Sequence, residues 1–135
     1  MKNLFLALAM IGLFAAAAFA QEASVVLARV PFDFAVGAAQ MPAGVYTLER
    51  NTAAGMLTIR DGSGLVKAMI QAIRMENSKA DRQPMLVFNT YGGRHFLSRV
   101  WWANGPGQQM LRTRIEKELL AATGAKQVLV AGRLH

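Results

Sequence analysis

Residues 30–37 read VPFDFAVG and set one carboxylate, that of Asp33, between the aromatic rings of Phe32 and Phe34. A carboxyl group in an apolar pocket can work as a general acid because burial raises its pKa, although such catalysis also needs a second titratable group. In an extended strand, however, neighbouring side chains point to opposite faces. We therefore expect Phe32 and Phe34 to be buried and Asp33 to lie on a solvated strand face.

The stretch GGRHFLSRVWW at residues 92–102 carries one of the two histidines and both tryptophans of the chain. Strand alternation predicts that His95, Arg99 and Trp101 project to one side of this segment. Such a ridge can stack a planar ring and pair with an anion, so these three residues are a candidate ligand-binding site. The alternative is that the core buries one face and a helix the other, with Arg99 reaching water.

Three basic residues, Arg112, Arg114 and Lys117, cluster where a helix is predicted to begin. Positive charge at a helix N-terminus opposes the helix dipole, which favours an anionic partner at this position. The three residues are therefore a candidate anion-binding site. The competing interpretation is a solvated basic face whose charge Glu116 and Glu118 partly offset.

The residue types present do not support several common chemistries. The chain has no cysteine and only two histidines, His95 and His135, which do not have the spacing of a zinc site. Its methionines are scattered, which favours core packing over copper binding. The segment DGSG at residues 61–64 is typical of a turn and matches neither a serine-hydrolase elbow nor a phosphate loop. We predict no catalytic residue, no metal site and no cofactor.

The start of the chain has the pattern of a secretory signal peptide. The letters MKN form a short basic start, residues 4–19 are apolar, and AFA at residues 18–20 has the small-x-small form of a cleavage site. We therefore predict a signal peptide at residues 1–20 and a single β-rich domain at residues 21–135, in the periplasm or secreted. The apolar run is short for a membrane span, and no span is expected after cleavage.

Short alternating segments separated by turn residues predict about seven strands in the mature chain. The first strand is predicted over residues 25–36, with Val30, Phe32, Phe34 and Val36 on one face. Pro31 lacks an N–H group, so this strand is expected at an edge or a bulge. Residues 76–84, which are polar, are expected to form an exposed loop.

One helix is predicted near the C-terminus. Thr113 and Glu116 have the spacing of a capping box, and Gly124 is suited to end the helix. The side predicted to pack is formed by Leu111, Ile115, Leu119 and Ala122. The strands and the helix together predict a mainly β fold, which is a small antiparallel barrel or sandwich with one C-terminal helix.

Five motifs follow the predicted leader in this order: VPFDFAVG, MPAGVYTLER, LTIRDGSG, LVFNTYGGRHFL and VWW. In this combination, over residues 25–122, the chain resembles a family of small exported proteins of Gram-negative soil bacteria with no assigned activity. Because these motifs are turn and core patterns, the resemblance implies a shared fold and export. It carries over no catalytic residue.

The formal net charge of +7 favours anionic partners. The leading functional prediction is a non-enzymatic exported domain that binds a partner or associates with the envelope; an anionic envelope component or a small ligand is the expected partner. One alternative is a carrier that holds a small apolar ligand inside a barrel. Another is an enzyme that pairs His95 with Asp33 or Asp61. Nucleic acid is not expected, because the aromatic and basic residues do not interleave.

Overall fold

The structure, a computed structural model, describes residues 25–51, 53–76, 83–103 and 105–134. The predicted signal peptide and residues 77–82 of the predicted loop lie outside the described residues. The elements are β1 (Val25–Val30), β2 (Phe34–Val36), β3 (Ala39–Met41), β4 (Gly44–Asn51), β5 (Met56–Arg60), β6 (Val66–Met75), β7 (Met85–Tyr91), β8 (Arg94–Trp101), β9 (Gly107–Met110), α1 (Arg114–Thr123) and β10 (Lys126–Leu134).

Eight of the strands close into an antiparallel barrel. Around the barrel the order is β8, β7, β10, β1, β4, β5, β6 and β9, and the pairing of β9 with β8 completes the ring. The hairpin of β2 and β3 joins β8 through a short parallel pairing. The predicted mainly β fold with one C-terminal helix is confirmed, and of the two predicted architectures the barrel is the one observed.

The predicted number of strands was too low because short strands and one break escape the alternation pattern. The first predicted strand, residues 25–36, is divided into β1 and β2 around Pro31, which cannot donate to a ladder. The strands β3 and β9 have only three and four residues, which is too short to show a period of two in the sequence.

Side chains from every barrel strand meet in the interior. Trp102, which is 1% exposed, belongs to one buried cluster with Val26, Leu48, Leu57 and Leu86 among others. Burial of apolar surface on this scale is the main stabilising contribution in a domain of this size. The interior is therefore a packed core that holds the strands in register.

The residues on either side of Asp33 are turned towards this core, as predicted. Phe34 is buried, and Phe32 packs against the core and meets Phe88 edge-on, with ring centroids 5.0 Å apart. Asp33 is exposed, as predicted, but it lies between strands rather than on one. Its Oδ1 accepts a hydrogen bond from the N–H of Ala43 at 2.9 Å, so the side chain ties two loops together.

A bulge in β8 changes the direction of its side chains. The register between β7 and β8 shifts by one residue at Ser98, which is left without a direct opposite. Leu97 and Val100 consequently both lie in the interior cluster, although strict alternation would put them on opposite faces. The predicted unbroken alternation over residues 92–102 was wrong for this reason.

The helix begins and ends where the sequence predicts. The Oγ1 atom of Thr113 accepts a hydrogen bond from the N–H of Glu116 at 3.2 Å, and the N–H of Thr113 donates to Oε2 of Glu116 at 3.1 Å. Gly124 follows the last turn with a φ of 72°, a conformation that favours glycine. The predicted capping box and the predicted stop are both confirmed.

The side of the helix that packs on the barrel was predicted only in part. Leu119, predicted to pack, does so together with Leu120 against a second small cluster of buried residues, and Glu116 is buried. Leu111 and Ile115, also predicted to pack, are 65% and 52% exposed, and Ala122 is exposed as well. The prediction for these three residues was wrong, because helical periodicity does not show how a helix turns on its neighbour.

Candidate functional site

The three residues of the predicted ridge do not form one surface. His95 precedes the bulge, whereas Arg99 and Trp101 follow it. Val100 and Trp102 point into the core. Because neighbouring side chains of a strand point in opposite directions, Arg99 and Trp101 point outwards. The bulge therefore separates the histidine from the other two residues.

The imidazole of His95 is held by two contacts. Its Nδ1 atom lies 2.7 Å from Oγ1 of Thr90, and its ring stacks on Phe32 with centroids 3.9 Å apart and an interplanar angle of 22°. The ring is thus on the side of the sheet that Phe32 occupies, while Asp33 is turned to solvent. Within the described chain, no hydrogen bond joins His95 to Asp33.

Asp33 and His95 both line a depression of about 150 Å³, together with Gln40 and Arg94. The guanidinium of Arg94 lies 5.4 Å from the centroid of the Phe96 ring. The sequence analysis missed Gln40 and Arg94, because only the pairing of β2 with β3 and β8 brings them near Asp33. The depression is small, and its charged residues lie on its exposed rim.

Asp61, the other carboxylate considered as a partner for His95, is part of a turn. Its Oδ1 accepts hydrogen bonds from the Ser63 hydroxyl at 2.6 Å, from the Ser63 N–H at 2.9 Å and from the Leu65 N–H at 3.1 Å. The Ser63 hydroxyl above all, and then the two N–H groups, hold the pKa of Asp61 below its ordinary value, and Lys67 at 3.6 Å adds to the effect. The carboxylate stabilises the turn.

A wide groove of about 650 Å³ lies beside this turn on the outside of β1, β4 and β5. Its floor contains Val25 and Leu27, and its charged residues are already paired with one another or with the turn. Glu49 and Arg60, for example, form an ion pair at 3.0 Å. We do not take this groove as a candidate site on its size alone, because its charged groups are already paired within the chain.

Arg99 and Trp101 lie on the outer face of β8. The ring of Trp101 covers Gly107 of β9, where a Cβ atom would lie 2.6 Å from Cε3 of the tryptophan. The Nε atom of Arg99 is buried, and it has no hydrogen-bond partner among the described residues. These two residues remain a predicted ligand-binding pair, with Trp101 also packing against β9.

The predicted anion-binding residues occupy a more distinctive position. Arg112, Arg114 and Lys117 are all exposed, and the two exposed aliphatic residues Leu111 and Ile115 lie in the same seven-residue stretch. We call these five residues the apolar–basic surface. It lies where the chain leaves β9 and enters the helix.

The charges of this surface are largely free of internal partners. Arg114 is 3.5 Å from Glu118, but both side chains are mostly exposed, so solvent screens this pair. Neither Arg112 nor Lys117 has an ion-pair partner in the part of the chain that the structure describes. The nearby Glu116 is turned inwards to the Thr113 N–H. The surface is therefore basic as a whole.

Strand β6 extends the aliphatic part of this surface. Met110 pairs with Ala72, so Leu111 continues from the ladder alongside β6. Met110 and Ala72 face the core, which places the neighbouring Ile73 and Leu111 on the outer side. Ile73 and the nearby Met69 are both more than half exposed. Aliphatic side chains of two elements thus border the same region.

The barrel interior offers little room for a ligand. The aromatic and aliphatic side chains of the core cluster come from all eight barrel strands. A cavity of about 60 Å³ borders Arg50 and Gln108, and this is space for roughly two water molecules. The side-chain oxygen of Gln108 is buried there without a hydrogen-bond partner, which is the kind of group that such a water satisfies.

Burial raises the pKa of Glu116, while the Thr113 N–H and the charge of Arg112 act in the opposite direction. The folded chain therefore binds this proton more tightly than the unfolded chain does. Protonation of Glu116 therefore contributes stability that is fully present below the ordinary pKa of 4.5. This contribution is lost as the pH rises through the raised pKa. Glu116→Gln removes this titration and keeps an oxygen for the Thr113 N–H.

We expect Glu116→Gln to be more stable, relative to the unchanged protein, at pH 7 than at pH 3.5. The quantity compared is the free energy of unfolding. Urea unfolding at both pH values measures it, and Glu118→Gln on the exposed side of the helix is the control. A difference that favours the variant more at pH 3.5 would contradict the assigned direction of the pKa.

No family model, no curated protein and no solved structure matches this chain. Among the described helical residues, no segment is long and apolar enough to cross a membrane. The described residues contain no group of three or more histidine, cysteine, aspartate or glutamate side chains placed to hold a metal ion. The function of the chain therefore has to be inferred from its own sequence and geometry.

Proposed function

We propose that this chain is an exported, non-enzymatic β domain that associates with the cell envelope through the apolar–basic surface. The observation that carries the proposal is that exposed Leu111 and Ile115 lie within seven residues of sequence together with exposed Arg112, Arg114 and Lys117. Large exposed aliphatic side chains lose contact with water when a partner covers them. The surrounding positive charge selects an anionic partner.

Export is part of the proposal and is supported by the sequence pattern of residues 1–20. A protein that leaves the cytoplasm with a basic surface meets the anionic components of the envelope first. The resemblance to small exported proteins of Gram-negative soil bacteria agrees with this location. The filled barrel interior makes the outside of the barrel the better candidate for binding than the inside.

Fractionation of cells that express the full chain tests this function. We expect the processed protein to sediment with the envelope, and the double variant Leu111→Gln with Ile115→Gln to shift by severalfold towards the soluble exported fraction. Leu134→Gln is the matched control, because Leu134 is also exposed (67%) but lies at the end of β10. Retention of the unprocessed chain in the cytoplasm, or equal fractionation of all three proteins, would contradict the proposal.

A further inference from the structure

We infer that the partner of the apolar–basic surface is an anionic lipid surface, into which Leu111 and Ile115 insert while the basic residues contact headgroups. This inference rests on the proposed function and names its partner. Segments that lie in a membrane interface combine large aliphatic residues with lysine and arginine on the same short stretch. The sequence LRTRIEK at residues 111–117 has this composition.

The exposure of the two aliphatic residues favours a lipid surface over a groove in a protein. Leu111 precedes the N-cap by two residues and Ile115 lies in the first helical turn, so both exposed side chains lie close to the helix start. Interfaces between proteins are enriched in aromatic residues, methionine and arginine and depleted of lysine. The apolar–basic surface has no aromatic residue, and it includes Lys117 beside its two arginines.

The charges of the apolar–basic surface also favour an anionic lipid partner. Arg112 and Lys117 make no ion pair with any described residue, and Arg114 is paired only loosely with Glu118. The remaining acid of the helix start, Glu116, is buried and occupied by the capping box. Each lysine or arginine close to an anionic bilayer strengthens binding about fivefold, and this attraction falls with salt.

The neighbouring strand supplies a second line of contact. Met69 and Ile73 are exposed on β6, and Ile73 follows Ala72, the partner of Met110 in the ladder. A flat bilayer can meet both elements at once, because the contact requires no shape complementarity beyond a common plane. Met69 and Ile73 are therefore expected to approach the headgroups when Leu111 and Ile115 are inserted.

Co-flotation of the purified exported protein with lipid vesicles tests the inference. We expect binding to vesicles of phosphatidylglycerol and phosphatidylethanolamine at least tenfold tighter than to phosphatidylcholine vesicles, and weaker binding in high salt. The double variant Arg112→Gln with Lys117→Gln should bind about twenty-five-fold more weakly, from two fivefold losses. The double variant Leu111→Gln with Ile115→Gln should also lose binding.

Two control variants, Arg133→Gln and Leu134→Gln, change an exposed cation and an exposed leucine on β10 and should bind like the unchanged protein. Circular dichroism establishes that each variant is folded. Absence of binding to anionic vesicles, or equal binding by the surface variants and the controls, would overturn the lipid inference. If the protein nevertheless sediments with the envelope in a manner that depends on Leu111 and Ile115, the proposed function stands with another anionic envelope component as partner.

Discussion

Replacement of Phe88 by alanine is expected to lower the free energy of unfolding by about 3–5 kcal/mol. Phe88 is completely buried and contacts the rings of Phe32 and Phe34, with centroids 5.0 and 5.3 Å away. Its removal leaves a cavity between β7 and the segment that links β1 to β2. Phe32, which also stacks on His95, would lose its edge-on contact.

Urea unfolding followed by circular dichroism measures this loss. Leu134→Ala is the control, and as a surface substitution it should change the unfolding free energy by no more than about 0.5 kcal/mol. If Phe88→Ala had as small an effect as the control, the barrel interior would not be the packed core described above. The argument against an interior ligand site would then fail as well.

Gly107→Ala is expected to lower the free energy of unfolding by about 1–3 kcal/mol, because it overpacks the contact between β8 and β9. A Cβ atom at this position would lie 2.6 Å from Cε3 of Trp101 and 3.2 Å from the backbone oxygen of Val100. The indole ring has to move, and the backbone oxygen has little freedom to do so. The strand that closes the barrel is thereby weakened.

The matched control is Gly44→Ala, where the nearest atom to the added Cβ is a ring carbon of Tyr46 at an ordinary distance of 3.8 Å. We expect this control to unfold at nearly the same urea concentration as the unchanged protein. Tryptophan fluorescence should shift in Gly107→Ala but not in Gly44→Ala. Equal stability of the two variants would show that Trp101 does not lie against β9.

The elements that the sequence predicts well are those determined by local chemistry. The capping box of Thr113 and Glu116 depends on two residues three apart, and the structure has both of its hydrogen bonds. The burial of Phe34, the partial burial of Phe32 and the exposure of Asp33 follow from the opposite directions of neighbouring side chains in extended chain. These features need no knowledge of distant contacts.

The features that escaped prediction depend on partners far away in the sequence. Ser98 is a bulge only because β7 shifts its register opposite β8, and no pattern within residues 92–102 signals this. The closure of the barrel requires β9, whose four residues are too few to show alternation. The candidate ligand-binding ridge was split by the first of these effects.

Only the basic residues of the apolar–basic surface were predicted from the sequence. Its basic residues were identified from their position at the helix start, whereas Leu111 and Ile115 were assigned to the packed side. Helical periodicity identifies an apolar side but does not show how a helix turns on its neighbour. Here Leu119 and Leu120 pack on the barrel and Glu116 is buried, so Leu111 and Ile115 are left exposed.

The most direct test of membrane association through this surface is an environment-sensitive fluorophore on a single introduced cysteine. The chain has no cysteine of its own, so Ile115→Cys and Leu134→Cys can each be labelled at one position. On addition of anionic vesicles, we predict that the emission of the label at position 115 shifts to shorter wavelength and that the label at position 134 does not respond. An unchanged emission at position 115, or an equal shift at both positions, would contradict the account.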